Sequence, residues 1–195
     1  MAKSKANSSN QLRIIAGKWR GRKLSFPDVD GLRPTPDRVR ETVFNWLQPV
    51  LGYANCLDLF AGSGALGFEA ISRGADSVVM VESNAQASKA LAAHYNLLAT
   101  EQCQLVNKTA EQFLASNSNR FDIVFIDPPY QANAWTSIAQ RLVETNALSE
   151  NATIYLECPS TGALPVLPSH WTLIKDKKAG EVRYCLFKNE VGDDE

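Results

Sequence analysis

The regular alternation of short apolar runs with longer amphipathic stretches between residues 56 and 157 constrains the fold more than any other feature of the chain. Short runs rich in β-branched and apolar residues are typical of buried strands, and longer periodic stretches are typical of helices. The alternation therefore predicts an α/β protein with a doubly wound, mostly parallel sheet. The predicted strands are 56–60, 77–82, 103–107, 121–126 and 152–157, and the predicted helices between them are 64–73, 84–98, 109–117 and 133–147.

The elements at both ends of the chain depart from this alternation. Two final strands, about 171–175 and 182–187, are joined only by the short charged segment 176–181, so they must be antiparallel. Near the start, residues 12–26 alternate apolar and polar side chains around two glycines, which predicts a β-hairpin. A helix should follow, capped by Thr35, with Pro36 in its first turn and an apolar face that ends before Pro49.

The tetrapeptide Asp-Pro-Pro-Tyr at residues 127–130 ends the apolar run 121–126 abruptly. Two successive prolines cannot continue a helix or a central strand, and they offer carbonyl oxygens without amide donors. An acidic side chain opens this turn and an aromatic ring closes it. Such a turn can accept hydrogen bonds from a planar NH₂ group and stack a flat ring. A simple strand end with a core tyrosine remains the alternative, because short motifs often match by chance.

A glycine-rich turn follows the first predicted strand of the alternating region. Gly62, Gly64 and Gly67 match the dinucleotide pattern G-x-G-x-x-G, and Glu82 lies at the end of the next strand, where a carboxylate suits the hydroxyls of a ribose. Asp58 lies inside the first strand, where its charge would hinder a pyrophosphate but suit a cationic ligand. The pattern therefore argues against NAD and favours a cationic ligand.

Together these segments resemble a class I S-adenosylmethionine-dependent methyltransferase that modifies an exocyclic amine. Segments 13–24 and 32–47 are similar to the opening of the bacterial RsmD family, and the similarity runs from about residue 11 to about residue 187. Enzymes of that family methylate N2 of a guanine, nucleotide 966, in 16S ribosomal RNA. The resemblance implies the Rossmann-like methyltransferase fold, with an antiparallel last strand and an added N-terminal β-hairpin and helix. It also implies S-adenosylmethionine as cofactor and 16S rRNA, within a small-subunit particle, as partner.

The resemblance also assigns residues to roles. The catalytic residues would be Asp127, Pro128, Pro129 and Tyr130. Segment 107–110 carries no acidic residue for the adenine amine, so backbone groups there would bind adenine. The expected cofactor-binding residues are Asp58, Phe60, Ala61, Gly62, Ser63, Gly64, Glu82, Lys108, Thr109 and Asp127.

Two other functions fit parts of the same pattern. A methyltransferase acting on DNA adenine or on a protein glutamine would share the core, although such enzymes more often carry Asn at the position of Asp127. A nucleotide-binding module without catalytic activity would explain the glycine turn but not the proline turn.

The charge is distributed unevenly along the chain. Residues 1–40 carry ten Lys or Arg and three Asp, a net charge of +7, whereas the other 155 residues carry ten basic and eighteen acidic side chains, a net charge of −8. A basic segment on an acidic body is typical of a nucleic-acid binder, with a solvated hairpin as the alternative. Trp19 lies between basic residues and could stack on a base. Arg38 starts the predicted helix and could brace the cofactor site instead of contacting RNA. The expected RNA-binding residues are Arg13, Lys18, Arg20, Arg22, Lys23, Arg33 and Arg38.

Composition narrows the class of protein further. The chain contains no apolar run long enough for a membrane span and no apolar stretch after Lys3 and Lys5, so we expect a cytoplasmic protein without membrane contact. Four cysteines without C-x-x-C spacing and two isolated histidines favour core packing over a metal site. We expect a monomer with a disordered tail (1–10), a basic RNA-binding extension (11–50), a methyltransferase domain (51–189) and an acidic tail (190–195).

Overall fold

The computed structural model describes residues 10–29, 35–98 and 100–190. The predicted tails 1–10 and 190–195 lie almost wholly outside these residues, and so does Arg33. Within the described ranges, no helix is long and apolar enough to cross a membrane.

Among the described residues, the main sheet has seven strands: β3 (Asn55–Asp58), β4 (Ser77–Val81), β5 (Cys103–Val106), β6 (Phe121–Ile126), β7 (Leu148–Pro159), β8 (Trp171–Ala179) and β9 (Val182–Asn189). Their order across the sheet is β5-β4-β3-β6-β7-β9-β8. All neighbours are parallel except β9, which runs antiparallel to β7 and, as the short final connection predicts, to β8. The predicted fold class is therefore confirmed.

Among the described residues, five α-helices cover the two faces of this sheet: α1 (Asp37–Leu51), α2 (Ala65–Ser72), α3 (Ala85–Leu98), α4 (Ala110–Ser116) and α5 (Trp135–Glu144). Helices α1, α2 and α3 share one apolar core with the N-terminal hairpin, and α4 and α5 belong to the other core. The carboxyl ends of the parallel strands lie together at one edge of the sheet, which is where ligands bind in doubly wound folds.

Three predicted boundaries are wrong. Helix α1 does not end before Pro49 but continues to Leu51, since Pro49 falls in the last turn and Leu51 is fully buried. Strand β7 begins at Leu148, because the chain turns at Asn146 with φ 52° soon after the end of α5. The predicted loop 176–181 is mostly strand, since β8 pairs with β9 as far as Ala179.

Helix α1 also begins differently from the prediction. Pro36 occupies its N-cap position and no side chain caps the helix, so the predicted Thr35 cap is wrong. The Thr35 hydroxyl instead donates a hydrogen bond to Glu157 Oε2 on β7, at 3.4 Å. The segment that leads into α1 is thereby attached to the carboxyl edge of the sheet.

The predicted hairpin is present, with β1 (Asn10–Arg13) antiparallel to β2 (Lys23–Phe26). Its connecting loop packs against α2: the amides of Lys18 and Trp19 donate to the Ser72 carbonyl and hydroxyl at 2.8 and 3.0 Å. Trp19 is only 7% exposed, so the prediction that its ring could stack on a base is wrong. The indole is part of the core that joins the hairpin to the sheet.

A buried arginine fastens the hairpin and α1 to α2. Arg40 is fully buried and donates to the carbonyls of Thr35 and Arg13 at 3.1 and 2.9 Å and to Asp37 at 2.6 Å. Its guanidinium also lies 3.5 Å from the buried carboxylate of Glu69, which accepts hydrogen bonds from amides of the hairpin loop. Removing one partner from such a buried pair is costly, so the network holds the hairpin in one position.

Candidate active site

The glycine turn connects β3 to α2 at the carboxyl edge of the sheet. Gly64 is the N-cap residue of α2 in the left-handed region, with φ 81°. A Cβ on Gly64 would lie 2.5 Å from the Phe68 ring, and one on Gly67 would lie 2.4 Å from Met80 Sδ. The left-handed backbone favours glycine at position 64, and a Cβ at either position would displace a packed side chain, so the two glycines let the turn stay close against the strand ends.

Asp58 is the last residue of β3 and lies beneath this turn. Its side chain is 1% exposed, and its Oδ2 accepts a hydrogen bond from the Gly67 amide at 3.2 Å. Oδ1 has no hydrogen-bond partner among the described residues. Burial raises the pKa of Asp58 to about 7, although hydrogen bonds from the Phe60 and Gly67 amides oppose the shift. A cationic ligand nearby would stabilise the ionised form of this carboxyl group.

Glu82 follows β4 and joins the end of that strand to the glycine turn. Its carboxylate accepts hydrogen bonds from the Gly62 amide at 2.8 Å and the Asn84 amide at 2.7 Å. The Ala61 amide also donates to the Val81 carbonyl at 2.9 Å. The predicted convergence of Glu82 with the glycine turn is thus present, with the carboxylate at the edge where a ribose could bind.

The other expected cofactor residues differ in what their side chains can do. Thr109 caps α4 in a reciprocal capping box with Gln112, and Lys108 reaches Ser116 Oγ at 3.3 Å. Their side chains thus serve α4. Their amides are also engaged, with the Val106 carbonyl at 3.2 Å and Gln112 Oε1 at 3.1 Å, so their carbonyls are the backbone groups that remain candidates for the adenine amine. In the turn itself, Ala61 and Ser63 are buried and Phe60 is partly buried.

The proline turn follows β6, the strand next to β3. Asp127 is partly buried and Pro128 is buried, whereas Pro129 and Tyr130 are exposed. Tyr130 begins a single 3₁₀ turn, Tyr130–Ala132, and its side chain is 38% exposed. Its ring lies 6.1 Å from the Trp135 ring at an angle of 50°. The turn therefore presents an aromatic surface beside a carboxyl group, as the tetrapeptide predicts.

A second carboxyl group, which the sequence analysis missed, lies beside Asp127. Glu157 is 6% exposed on β7, and the register pairs Ile126 of β6 with Leu156, one residue before Glu157. Glu157 Oε2 accepts a hydrogen bond from the Tyr155 hydroxyl at 2.8 Å in addition to the one from Thr35. Glu157 follows a buried apolar run just as Glu82 and Asp127 do, so the same strand-end pattern could have identified it.

The two carboxyl groups affect each other's protonation. Burial raises the pKa of Asp127 well above its usual value, and the charges of Glu157 and Asp58 raise it further, while a hydrogen bond from Thr35 opposes the shift. Burial also raises the pKa of Glu157, against the hydrogen bonds from Tyr155 and Thr35. Because neighbouring carboxylates disfavour double ionisation, the pair tends to hold one proton.

Among the described residues, the basic side chains of the N-terminal segment are on the surface, with the exception of Arg40. Arg13 lies 3.7 Å from Asp37, and the Lys18 ammonium lies 4.5 Å from the centre of the Trp19 ring. Arg38 is exposed at the start of α1, so its position favours contact with RNA over bracing of the cofactor site. The exposed members of the predicted set are Arg13, Lys18, Arg20, Arg22, Lys23 and Arg38.

No group of three or more His, Cys, Asp or Glu side chains within residues 10–29, 35–98 and 100–190 could hold a metal ion. All four cysteines are buried and unpaired on strands, as the core-packing interpretation predicts.

Known proteins share both the sequence and this architecture. A family model described as "Conserved hypothetical protein 95" matches residues 12–188. "Ribosomal RNA small subunit methyltransferase D" of Escherichia coli strain K12 is 44% identical over 191 residues, which is 98% of this chain and 96% of the relative. The chain belongs to the RsmD family. The Haemophilus influenzae protein of the same name is 44% identical over 187 residues, 94% of this chain and 96% of that protein.

A solved structure from Escherichia coli agrees with this family assignment. It matches with a TM-score of 0.88 at 42% identity and covers 94% of this chain and 100% of its own. The RsmD resemblance seen in the sequence is therefore confirmed.

Proposed function

We propose that this protein transfers a methyl group from S-adenosylmethionine to the exocyclic N2 amine of a guanine in 16S rRNA, at the position equivalent to nucleotide 966. The observation that carries the proposal is the placement of the Asp127–Tyr130 turn next to the glycine turn. The strands that lead into the two turns, β3 and β6, are direct neighbours in the sheet. A methyl donor at one turn and an acceptor amine at the other would meet at the same edge.

The residues around the glycine turn fit S-adenosylmethionine. Glu82, whose two oxygens each accept one backbone amide, would accept the ribose hydroxyls with its remaining lone pairs. The unpartnered Oδ1 of Asp58 favours a positively charged ligand. The left-handed backbone at Gly64 lets the turn pack closely over the strand ends, so its backbone groups would face the bound ligand. When bound, the cofactor supplies a methyl group activated by the sulfonium charge.

The proline turn would prepare the acceptor. The lone pair of guanine N2 is delocalised into the ring, so the free amine is a weak nucleophile. If the Asp127 carboxylate and the Pro128 carbonyl accept its two N–H groups, the nitrogen is drawn toward tetrahedral geometry and its lone pair is directed at the methyl group. Positioning and electrostatics of this kind are sufficient for an in-line displacement.

The carboxyl pair provides a destination for the proton that N2 loses. With one proton shared between Asp127 and Glu157, one ionised carboxylate remains to accept the N–H group and then its proton. Tyr155 and Thr35 hold Glu157 in place through hydrogen bonds. The partly exposed Tyr130 ring would stack on the guanine after it leaves its helix or loop.

The exposed basic residues of the hairpin and of α1 would hold the rRNA through its phosphates. Arg20, Arg22 and Lys23 are exposed and form no ion pair with described residues. Because Arg40 and Glu69 fix the hairpin against the catalytic body, these charges would have a defined position relative to the target base.

A transfer assay with labelled cofactor tests the proposal. The protein is incubated with methyl-labelled S-adenosylmethionine and with 16S rRNA, small-subunit particles, DNA or protein, and label should enter the rRNA samples only. Asp127→Ala should abolish transfer and leave the cofactor's affinity within a few-fold, since Asp127 faces mainly the target amine. Label in DNA or protein, or transfer that survives in Asp127→Ala, would refute the proposed substrate or the proposed role of Asp127.

A further inference from the structure

A second group of basic side chains lies on the opposite margin of the sheet from the hairpin. The β8 basic strip consists of Lys175, Lys177 and Lys178, all exposed on the edge strand β8. Segment 175–183 carries four basic and two acidic residues, a net charge of +2, although residues 41–195 carry −8. The strip therefore stands out against the acidic body around it.

The strand register places this strip at the same edge as the candidate active site. Glu157 of β7 pairs with Tyr184 of β9, which pairs with Lys177 of β8. Adjacent strands are about 4.8 Å apart, so the backbone of Lys177 lies roughly 10 Å from that of Glu157. One bound strand of RNA could reach both the strip and the proline turn.

The surroundings of the strip leave its charges available. Asp176, the acidic residue between the lysines, is occupied by Arg183 at 2.6 and 3.0 Å. The three lysines form no ion pair with described residues. The Lys177 ammonium lies 5.7 Å from the centre of the Trp46 ring, which stacks on Tyr184. Packing of this kind orders the side chain while the ammonium stays at the surface.

Lysines on an edge strand often serve only to prevent pairing with another sheet. That role requires charge along the edge but no particular end of it. Here the three lysines occupy the carboxyl half of β8, whereas Leu173 and Ile174 earlier in the strand are exposed apolar residues, at 42% and 46%. The lysines thus lie at the edge of the sheet where ligands bind, and they leave the apolar part of the edge strand unprotected.

We propose that the β8 basic strip is a second phosphate-binding surface for the RNA substrate. It holds the backbone on the side of the target base opposite to the N-terminal hairpin, which packs against α2 and α3 near the β4 and β5 margin. The inference rests on the proposed function, since it extends the substrate contact of that site. Two positive surfaces on either side of the proline turn would fix the strand while one base is presented between them.

The test compares two variants that lose the same charge at opposite ends of the sheet. The first is Lys175→Gln/Lys177→Gln/Lys178→Gln. The matched control is Arg120→Gln/Arg141→Gln/Lys188→Gln, whose residues lie toward the amino ends of β6 and β7. Affinity for a 16S rRNA fragment is measured as a function of salt, together with the melting temperature and the binding of S-adenosylmethionine.

The strip variant should bind the 16S rRNA fragment more weakly and with a flatter salt dependence, whereas the control variant should keep the wild-type affinity and salt dependence. Each phosphate contact on a single strand contributes about 0.7 to the log–log salt slope, so losing three contacts should flatten it by about 2. If the log–log plots of RNA affinity against salt for the wild type and the strip variant converge near 1 M salt, the two affinities differ about 100-fold at 0.1 M. If the triple variant melts earlier than the wild type, Lys178→Gln alone should flatten the slope by about 0.7.

The outcomes separate this inference from the proposed function. If the wild type methylates rRNA but the strip variant keeps the wild-type RNA affinity and salt slope, only the inference is overturned. The lysines would then serve to protect the edge strand. Equal losses in the strip variant and the control would also overturn it, because the effect would then be one of net charge. A wild-type protein that methylates no RNA would overturn both.

Discussion

Gly17 and Gly21 offer a matched pair of substitutions for testing how the hairpin is held. Both have left-handed backbones, with φ 81° and 83°. A Cβ on Gly21 would meet nothing within 4 Å, whereas one on Gly17 would lie 1.7 Å from the Ser72 carbonyl oxygen. Gly21→Ala should therefore cost only the left-handed backbone penalty, about 1–2 kcal/mol. Gly17→Ala adds a backbone collision to the same penalty.

The size of the added cost follows from the contacts that the collision would break. An ordinary contact distance begins near 3.4 Å, whereas this Cβ would lie 1.7 Å from the oxygen. The hairpin loop must therefore move away by the difference, about 1.7 Å. Such a shift would break the three hydrogen bonds that Ser72 forms with Ala16, Lys18 and Trp19. At about 1 kcal/mol each, their loss should make Gly17→Ala about 3 kcal/mol less stable than Gly21→Ala.

Thermal unfolding and RNA binding provide the measurements. For a chain of this size, a difference of about 3 kcal/mol corresponds to a melting temperature roughly 6–12 °C lower for Gly17→Ala than for Gly21→Ala. Hydrogen exchange at the Lys18 and Trp19 amides should accelerate in Gly17→Ala only, and the affinity for rRNA should fall with it. Equal melting temperatures and equal exchange in the two variants would refute the docking of the hairpin on α2.

Three further predictions concern the site. Glu82→Ala should weaken S-adenosylmethionine binding by about 1–3 kcal/mol, measured by calorimetry, because the carboxylate's charged hydrogen bonds to the ribose are lost; unchanged affinity would remove Glu82 from the cofactor site. Tyr130→Phe should retain most methyl transfer while Tyr130→Ala loses it, since stacking contributes roughly 1–3 kcal/mol per base; equal losses would assign the role to the hydroxyl. Glu157→Gln removes a charge that raises the pKa of Asp127, so the acid limb of the kcat–pH profile should move to lower pH; an unmoved limb would show that the two groups are not coupled during turnover.

The strand-end side chains were the most predictable part of the site. Asp58, Glu82 and Asp127 each end or follow a short apolar run, and parallel topology then brings them to one edge without further information. Glu157 obeys the same rule, because it follows the buried apolar run of β7. Its partner Thr35 could not have been predicted, because the sequence offers it an obvious helix cap and only the fold brings it to β7.

The burial of two residues in the N-terminal segment also could not be predicted from the sequence. Arg40 and Trp19 occur in a segment rich in exposed basic residues, so the local sequence places both on the surface. Their burial depends on partners distant in the chain, Glu69 and Ser72, which only the packing of the hairpin against α2 brings near. The extension of α1 through Pro49 has a similar origin, since burial of Leu51 is a tertiary effect.

The identity of the methylated nucleoside tests the central claim most directly. After transfer from methyl-labelled S-adenosylmethionine to 16S rRNA from cells that lack this activity, the RNA is digested to nucleosides and analysed by mass spectrometry. The account predicts that all label is in N2-methylguanosine, from one position, and that Asp127→Ala yields none. Label in a methylated adenosine, in a ring-nitrogen methylguanosine or at many positions would contradict it.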